Sequence, residues 1–430
     1  MMKKFIFLLF FIQGVLLSKV IVDKVEIKGV EVPVIFEEDK TLPIISMQVI
    51  FKNSGSLFSG DKEGLSKFVA SMLNEGTKKD GAVKFAKKLE DEAISLSSST
   101  GNETFVFEMS SLKKQFPKGV KLFKELLEDP NFTDKSLQKI KLLKKSFLKQ
   151  KEDDFDYIAG LNLRKELFPN TPLAKSFIGT QKSLDEISLK DVEDFYKKHI
   201  VLKRAVVVIG GDLDIKEAKS YIKEFLGSLS VGDIEKLPFF ETTKKPSTKE
   251  VYKDTKQAYI YFGSPYNLSA TDPNYYKAKV ATFILGAGGF GSRLMEEIRV
   301  KRGLAYSAYA SLYVNLTNRS LRGYLQTKIE NKDEAIKIVK EVISNFVKNG
   351  VTQKELDSAK KFILGSEPLR NETLSQRLNN TFMLYYKGLP LDHNEKVLKE
   401  VEKLKLDDLN SFIHSHDEIN SLSFSIVTKK

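Results

Sequence analysis

Gly64-Leu65-Ser66-Lys67-Phe68-Val69-Ala70-Ser71-Met72-Leu73-Asn74-Glu75-Gly76-Thr77 reads as a short helix between two glycines, and its polar face decides how the rest of the chain is read. Positions 67, 70 and 71 fall on one turn, because residues three and four apart share a helical face. A turn that held a hydrolytic metal would need neutral or anionic ligands there, together with a carboxylate to take a proton from the bound water. Lys67 is cationic and repels a divalent ion, Ser71 is a poor zinc ligand, and Ala70 cannot accept a proton.

Outward from this stretch the chain repeats itself. Ile187-Ser188-Leu189-Lys190-Asp191-Val192-Glu193-Asp194-Phe195 parallels Leu404-Lys405-Leu406-Asp407-Asp408-Leu409-Asn410-Ser411-Phe412, with Leu, Asp and Phe in register. Upstream, Phe123 to Leu126 followed by Thr133 to Leu137 parallels Val339 to Val342 followed by Thr352 to Leu356 at a similar offset. Internal repetition of this length predicts two similar domains of ordinary size. Each half opens with β-rich sequence, Ile44 to Phe51 and Ala258 to Phe262, and runs into amphipathic helical sequence, Val120 to Leu127 and Glu334 to Val347. The pattern implies α+β layers, with a first domain over 19–229 and a second over 251–430. Residues 230–250 carry a glycine, two prolines and a Thr-Thr-Lys-Lys-Pro-Ser-Thr run, a linker composition.

The second half holds another distinctive stretch, Gly286-Ala287-Gly288-Gly289-Phe290-Gly291-Ser292-Arg293-Leu294-Met295-Glu296-Glu297-Ile298-Arg299-Val300-Lys301-Arg302-Gly303-Leu304-Ala305-Tyr306-Ser307. The chain uses only nine arginines among its 69 basic residues, yet Arg293, Arg299, Arg302, Arg319 and Arg322 cluster here. A sequence that defaults to lysine keeps arginine where a planar, bidentate, always-charged group matters, which favours recognition of a carbonyl or carboxylate. Pairing with Glu296 or Glu297 is the competing expectation for Arg293 and Arg302. Gly286-x-Gly288-x-x-Gly291 also satisfies a dinucleotide-binding pattern, but Tyr276 to Leu285 before it looks helical rather than strand-like and no acidic residue follows at the ribose position.

Both stretches resemble motifs of the insulinase and pitrilysin zinc peptidases. The first matches a family pattern of roughly G-L-A-H-F-L-E-H-M-L-F-K-G-T, whose inverted H-x-x-E-H motif is replaced at Lys67, Ala70 and Ser71. The family's third ligand, a glutamate further along, falls near Ser146-Phe147-Leu148-Lys149, where no acid stands. The second stretch is similar to the family's second-domain motif, in which an arginine and a tyrosine reach the substrate across a closed chamber. They match Arg299 and Tyr306, with Gly288 and Gly289 as further substrate contacts. Val22 to Pro33, Gly55-Ser56, Pro172-Leu173-Ala174, Ile178-Gly179-Thr180 and Val206 to Asp212 extend the resemblance over nearly the whole chain. It implies two homologous domains, each a mostly antiparallel sheet with helices on one side, closing like a clam.

Composition bounds the function further. Without cysteine there are no disulfides, no thiol catalysis and no Cys-based zinc site. Of the four histidines, His199, His393, His414 and His416, only the last two are close in sequence, and the helical pattern around them turns a spacing of two apart, which predicts a solvent-facing pair. The net charge of +12 comes from lysines scattered among acids, without an Arg-aromatic nucleic-acid module. Met1 to Lys4 is basic, Phe5 to Phe11 is apolar, and residues 1–18 read as a secretory signal peptide, with a retained interfacial anchor as the alternative, hence an exported chain, periplasmic or otherwise extracytoplasmic, with no transmembrane span. What the resemblance then implies is the metal-less subunit of a heterodimeric zinc endopeptidase. This chain would bind no cofactor; a related H-x-x-E-H subunit would carry Zn2+, and an extended or unfolded peptide would be the substrate. The alternatives are a non-catalytic scaffold or peptide-binding pseudopeptidase of the same fold, and a self-sufficient zinc protease.

Overall fold

The computed structural model describes residues 20–430, so the leader expected over residues 1–18 lies outside the described residues. In the first half, β1 (Ile21–Ile27) and β2 (Val30–Glu38) form a hairpin over Lys28-Gly29. Both turn residues have positive φ, the conformation a tight two-residue hairpin requires. Next come β3 (Ile44–Lys52), β4 (Ser95–Thr100), β5 (Thr104–Leu112) and β6 (Ala205–Gly211), giving the order β1-β2-β6-β3-β5-β4. The second half contributes β7 (Thr248–Tyr252), β8 (Gln257–Ser264), β9 (Ala305–Val314), β10 (Arg319–Lys328) and β11 (Ser423–Thr428), in the order β7-β11-β8-β10-β9.

With β1 set aside, the two orders are the same, down to one parallel pair in each sheet, β2 with β6 and β7 with β11. The repeated sequences land on equivalent elements. The Asp/Phe repeat forms the helices Leu189–His199 and Leu406–His414. Thr133 and Thr352 are both N-caps, each hydroxyl accepting the backbone N–H three residues on.

Period-two alternation sorts each strand between two faces. Val34 and Phe36, Met47, Val49 and Phe51, and Val207 and Ile209 enter the core beneath the first half's helices. Their neighbours Ile35, Ile50, Val206 and Val208 point the other way and meet Leu378 and Phe382 of the helix Leu374–Tyr386, which belongs to the second half. The exchange is reciprocal. The first half's helix Phe155–Leu167 lies on β8 and β11, with the Phe155 ring 5.4 Å from Tyr259 and the Tyr261 hydroxyl donating to Asp156 at 3.1 Å. The helices of each half pack on one sheet face, as expected from the resemblance, and the opposite face is closed by a helix from the other half.

Arg377 fastens one of these exchanges, donating from Nε to both Glu37 oxygens at 2.9 and 3.1 Å and from Nη2 to Asp39 at 3.2 Å. The expected linker has no helix or strand up to residue 247, but residues 248–250 already belong to β7. It is pinned as it crosses: Phe240 N–H donates to Thr317 and Thr243 N–H to Leu167, each at 2.8 Å. No helix among the described residues is long and apolar enough to cross a membrane.

Candidate functional site

The degenerate turn is a real helix, Leu65–Leu73, started by Gly64 at φ +86°. A Cβ there would lie 2.8 Å from the backbone of Gly179, so the two glycines let the helix start and the Ile178–Thr180 loop touch. Phe68, Val69, Met72 and Leu73 anchor the helix in the core, and Ala70 is buried with them. The Ser98 hydroxyl on β4 donates to the Ala70 carbonyl at 2.7 Å. Lys67 and Ser71 are half-buried on the remaining face, and the Ser71 hydroxyl donates back to the Lys67 carbonyl at 2.9 Å.

Residues 146–149 lie on the helix Asp134–Lys151. Ser146, Phe147 and Lys149 are exposed, and the side chain whose charge couples to Lys67 is Lys144. Burial and the Lys67 charge push the Lys144 ammonium down to about 8. Burial, then the Arg164 charge, likewise hold Lys67 below the ordinary lysine value. Lys67 thus lies within electrostatic reach of both Lys144 and Arg164, and no acid forms an ion pair with any of the three among the described residues. This side-chain set does not fit zinc.

The other histidines do not gather. His199 is buried between Phe195 and Phe58, with its imidazole pushed down to about 4 by burial first and then by the charges of Arg204 and Lys198. His414 is exposed, but His416 is not the solvent-facing partner expected. It lies past the helix end, stacked 5.0 Å from Tyr266 with Nδ1 2.8 Å from Glu418.

Arg299 and Tyr306 are brought together. The Arg299 guanidinium sits between two rings, 4.6 Å from Phe290 and 4.2 Å from Tyr306. Among the described residues it has no hydrogen-bonded or ionic partner, while Tyr306 is 82% and Phe290 70% exposed. Both residues occupy irregular backbone. Arg299 lies in a single π-turn, Glu296–Val300, a feature that favours functional sites. Tyr306 lies in a bulge of the edge strand β9: Ala305 pairs with Thr327 and Ala308 with Leu325, so two residues of β9 face one of β10 and the side chain is re-aimed. The glycine turn before them also ends a π-turn, Phe283–Ala287. Gly288 closes against the Phe283 carbonyl and ring, and Gly289 takes φ +64°, so the turn itself requires both.

The neighbouring arginines have separate uses. Arg302 pairs with Glu297 as expected, whereas Arg293 pairs with Glu355 at 2.6 Å and with the Gly350 carbonyl, rather than with Glu296 or Glu297. Arg319 stacks on Phe239, and Arg322 lies in a cavity opposite Arg164. Arg164 was not singled out from the sequence, although the scarcity of arginine that marked the second half applies to it equally. No contact among the described residues joins Arg299 or Tyr306 to Lys67, Ala70 or Ser71.

Comparison with known proteins places this geometry. Residues 34–181 match the model described as insulinase (peptidase family M16), and residues 186–363 match the one described as the peptidase M16 inactive domain. A Helicobacter pylori protein named non-peptidase homolog YmxG is 45% identical over 405 residues, 94% of each chain. A Bacillus subtilis protein named uncharacterized zinc protease YmxG is 22% identical over 88% of this chain and 92% of its own. Among solved structures, a peptidase M16 inactive domain from Pseudomonas fluorescens superposes with a TM-score of 0.85 at 25% identity, covering 95% of this chain and 98% of that one. A protease from Helicobacter pylori gives a TM-score of 0.82 at 17% identity, over 96% and 100%. The chain therefore belongs to the insulinase, or M16, peptidase family.

Proposed function

We propose that this chain is the metal-less subunit of an exported, two-chain zinc endopeptidase of the insulinase type. A related subunit carrying H-x-x-E-H would hold the zinc, and this chain would supply Arg299 and Tyr306 to the scissile carbonyl. The observation that carries this reading is the Arg299–Tyr306 pair: a half-buried guanidinium held between two exposed rings, set on two backbone irregularities, and ion-paired to no acid among the described residues.

The zinc on the partner would activate the attacking water. The work left to this chain is electrostatic. Arg299 and the Tyr306 hydroxyl donate hydrogen bonds to the carbonyl oxygen as it gains negative charge, and stacking holds the guanidinium in place before substrate arrives. Tyr306 stands at the start of an edge strand, whose outer backbone groups suit an extended peptide added as a further strand.

In the reconstituted pair, Arg299→Ala should lower kcat by ~10²–10³ without dissociating the subunits. A pair that assembles and cleaves peptide at the parent rate with Arg299→Ala refutes the role. That result would favour the second reading, a peptide-binding scaffold, which the 45% identity to a protein named a non-peptidase homolog also supports.

A further inference from the structure

Between the crossing helix Phe155–Leu167 and the sheet it covers lies a cavity of about 300 Å³. The helix contributes Arg164, β10 contributes Arg322 and Tyr324, and Tyr261, Tyr309 and Tyr313 complete an aromatic wall. Arg322, Tyr324 and Gln326 share one face of β10, while Arg164, Gly160 and Asp156 share one side of the helix. The two rows run together, because Gln326 donates to both Asp156 oxygens at 3.0 and 2.9 Å while Arg164 and Arg322 both line the cavity further along, close enough for their charges to interact. Asp156 is about 12 Å from Arg164 along the helix, two turns away, and its oxygens already accept from Gln326 and Tyr261.

The arginine end thus has two guanidiniums, one from each half of the chain, and no acid among the described residues. Arg164 makes one long hydrogen bond, from Nη2 to the Lys175 carbonyl at 3.3 Å, and stacks on Phe177 at 4.1 Å; its Nε is buried without a partner. Arg322 donates from Nε to Ser320 and from Nη2 to Asn318, both neutral. Burial holds both guanidiniums below their ordinary range, and the Arg164 charge adds to this at Arg322. Like charges gathered in a partly buried place cost free energy unless an anion joins them.

We propose that this cavity is a carboxylate-binding site, in which Arg164 and Arg322 grip one carboxylate from the two halves of the chain and the tyrosines flank the group that carries it. The planar guanidinium forks match a planar two-oxygen anion, and the aromatic wall suits a carboxylate attached to an organic body rather than a free inorganic ion. The site uses neither Arg299 nor Tyr306 and needs no partner subunit, so it does not depend on the function proposed above, although Arg164 also lies within electrostatic reach of Lys67. A peptide's terminal carboxylate and an acidic side chain share the required chemistry.

The test is calorimetric titration of the full chain, alone, with three short alanine-phenylalanine peptides: one with a free C-terminal carboxylate, its amide, and an amide with an internal glutamate. The free acid should bind, the plain amide should bind about ten-fold more weakly or worse, and Arg164→Gln and Arg322→Gln should each cause a loss of about that size, with Arg302→Gln unchanged. Binding of the glutamate-containing amide assigns the side chain as the natural group, and its failure assigns the terminus. If Arg322→Gln does not fold, Arg164→Gln decides, since it removes one long hydrogen bond and a stacking contact. Equal binding of acid and amide, undiminished binding by Arg164→Gln, no binding of either carboxylate peptide, or equal affinity for inorganic phosphate overturns the proposal.

Discussion

Arg377→Ala tests whether the two halves form one folding unit through their exchanged helices. Arg377 stands on the helix Leu374–Tyr386 of the second half, and Glu37 lies on β2 of the first half with only 1% of its side chain exposed. Arg377 donates to both Glu37 oxygens and to Asp39, so its removal leaves a buried carboxylate without its principal partner. Breaking a buried pair by removing one member costs about 3–5 kcal/mol, because the remaining charge keeps its desolvation penalty. The lower part of that range applies, since Arg377 is 19% exposed and water can reach its place. Urea unfolding followed by circular dichroism should show a loss of about 3 kcal/mol at unchanged slope. The double variant Arg377→Ala, Glu37→Gln should recover a large part of that loss, as the stranded charge is gone. A single variant within about 0.5 kcal/mol of the parent, or a double variant whose loss is the sum of the singles, would refute the claim that this pair holds the crossing helix.

Three further outcomes follow from the site. Lys67→His, Ala70→Glu and Ser71→His together restore the family motif on the helix, yet zinc should not bind tightly while Lys144 and Arg164 remain, and adding Lys144→Glu should tighten binding measured by competition with a chromogenic chelator. Equal zinc affinity in the three-site and four-site variants would remove Lys144 from the third-ligand position. Lys144, depressed to about 8 in the folded chain, also makes stability rise with pH: below about 8 it is charged in both states and burial penalises the fold, and between there and the ordinary lysine value of about 10.4 only the unfolded chain keeps its proton. Lys144→Met should flatten the rise in unfolding free energy between these limits, and a slope equal to the parent's would contradict the shift. Tyr306→Phe in the assembled pair should lower kcat more than it raises KM, because its hydroxyl is assigned to the developing oxyanion; an effect on KM alone would reassign it to ground-state binding.

The two-domain α+β plan was legible because repetition survives in side chains with positional duties. Thr133 and Thr352 cap equivalent helices, and the Asp/Phe repeat marks the helix that precedes the last strand of each sheet. The helix exchange was not legible. Periodicity shows that Leu378 and Phe382 have a buried side, but not that the surface burying them lies in the other half of the chain. Residues 230–247 have irregular backbone, while their hydrogen bonds to Thr317 and Leu167 depend on tertiary placement and leave no local trace. At the site, the residue types at 67, 70 and 71 could be read directly, whereas the nearness of Lys144 and Arg164 to Lys67 could not. Counting along a helix and loops cannot fix which side chains come near one another across neighbouring elements. The rarity of arginine pointed to Arg299, and the same signal held for Arg164, whose partner Arg322 is remote in sequence.

The central claim is that catalysis is divided between two chains, and the metal content of the native complex tests it most directly. The complex captured through a tag on this chain should contain about one zinc per pair, with none on the chain purified alone. Zinc held tightly by the lone chain, or a stable complex with its partner that contains no zinc, would contradict the account.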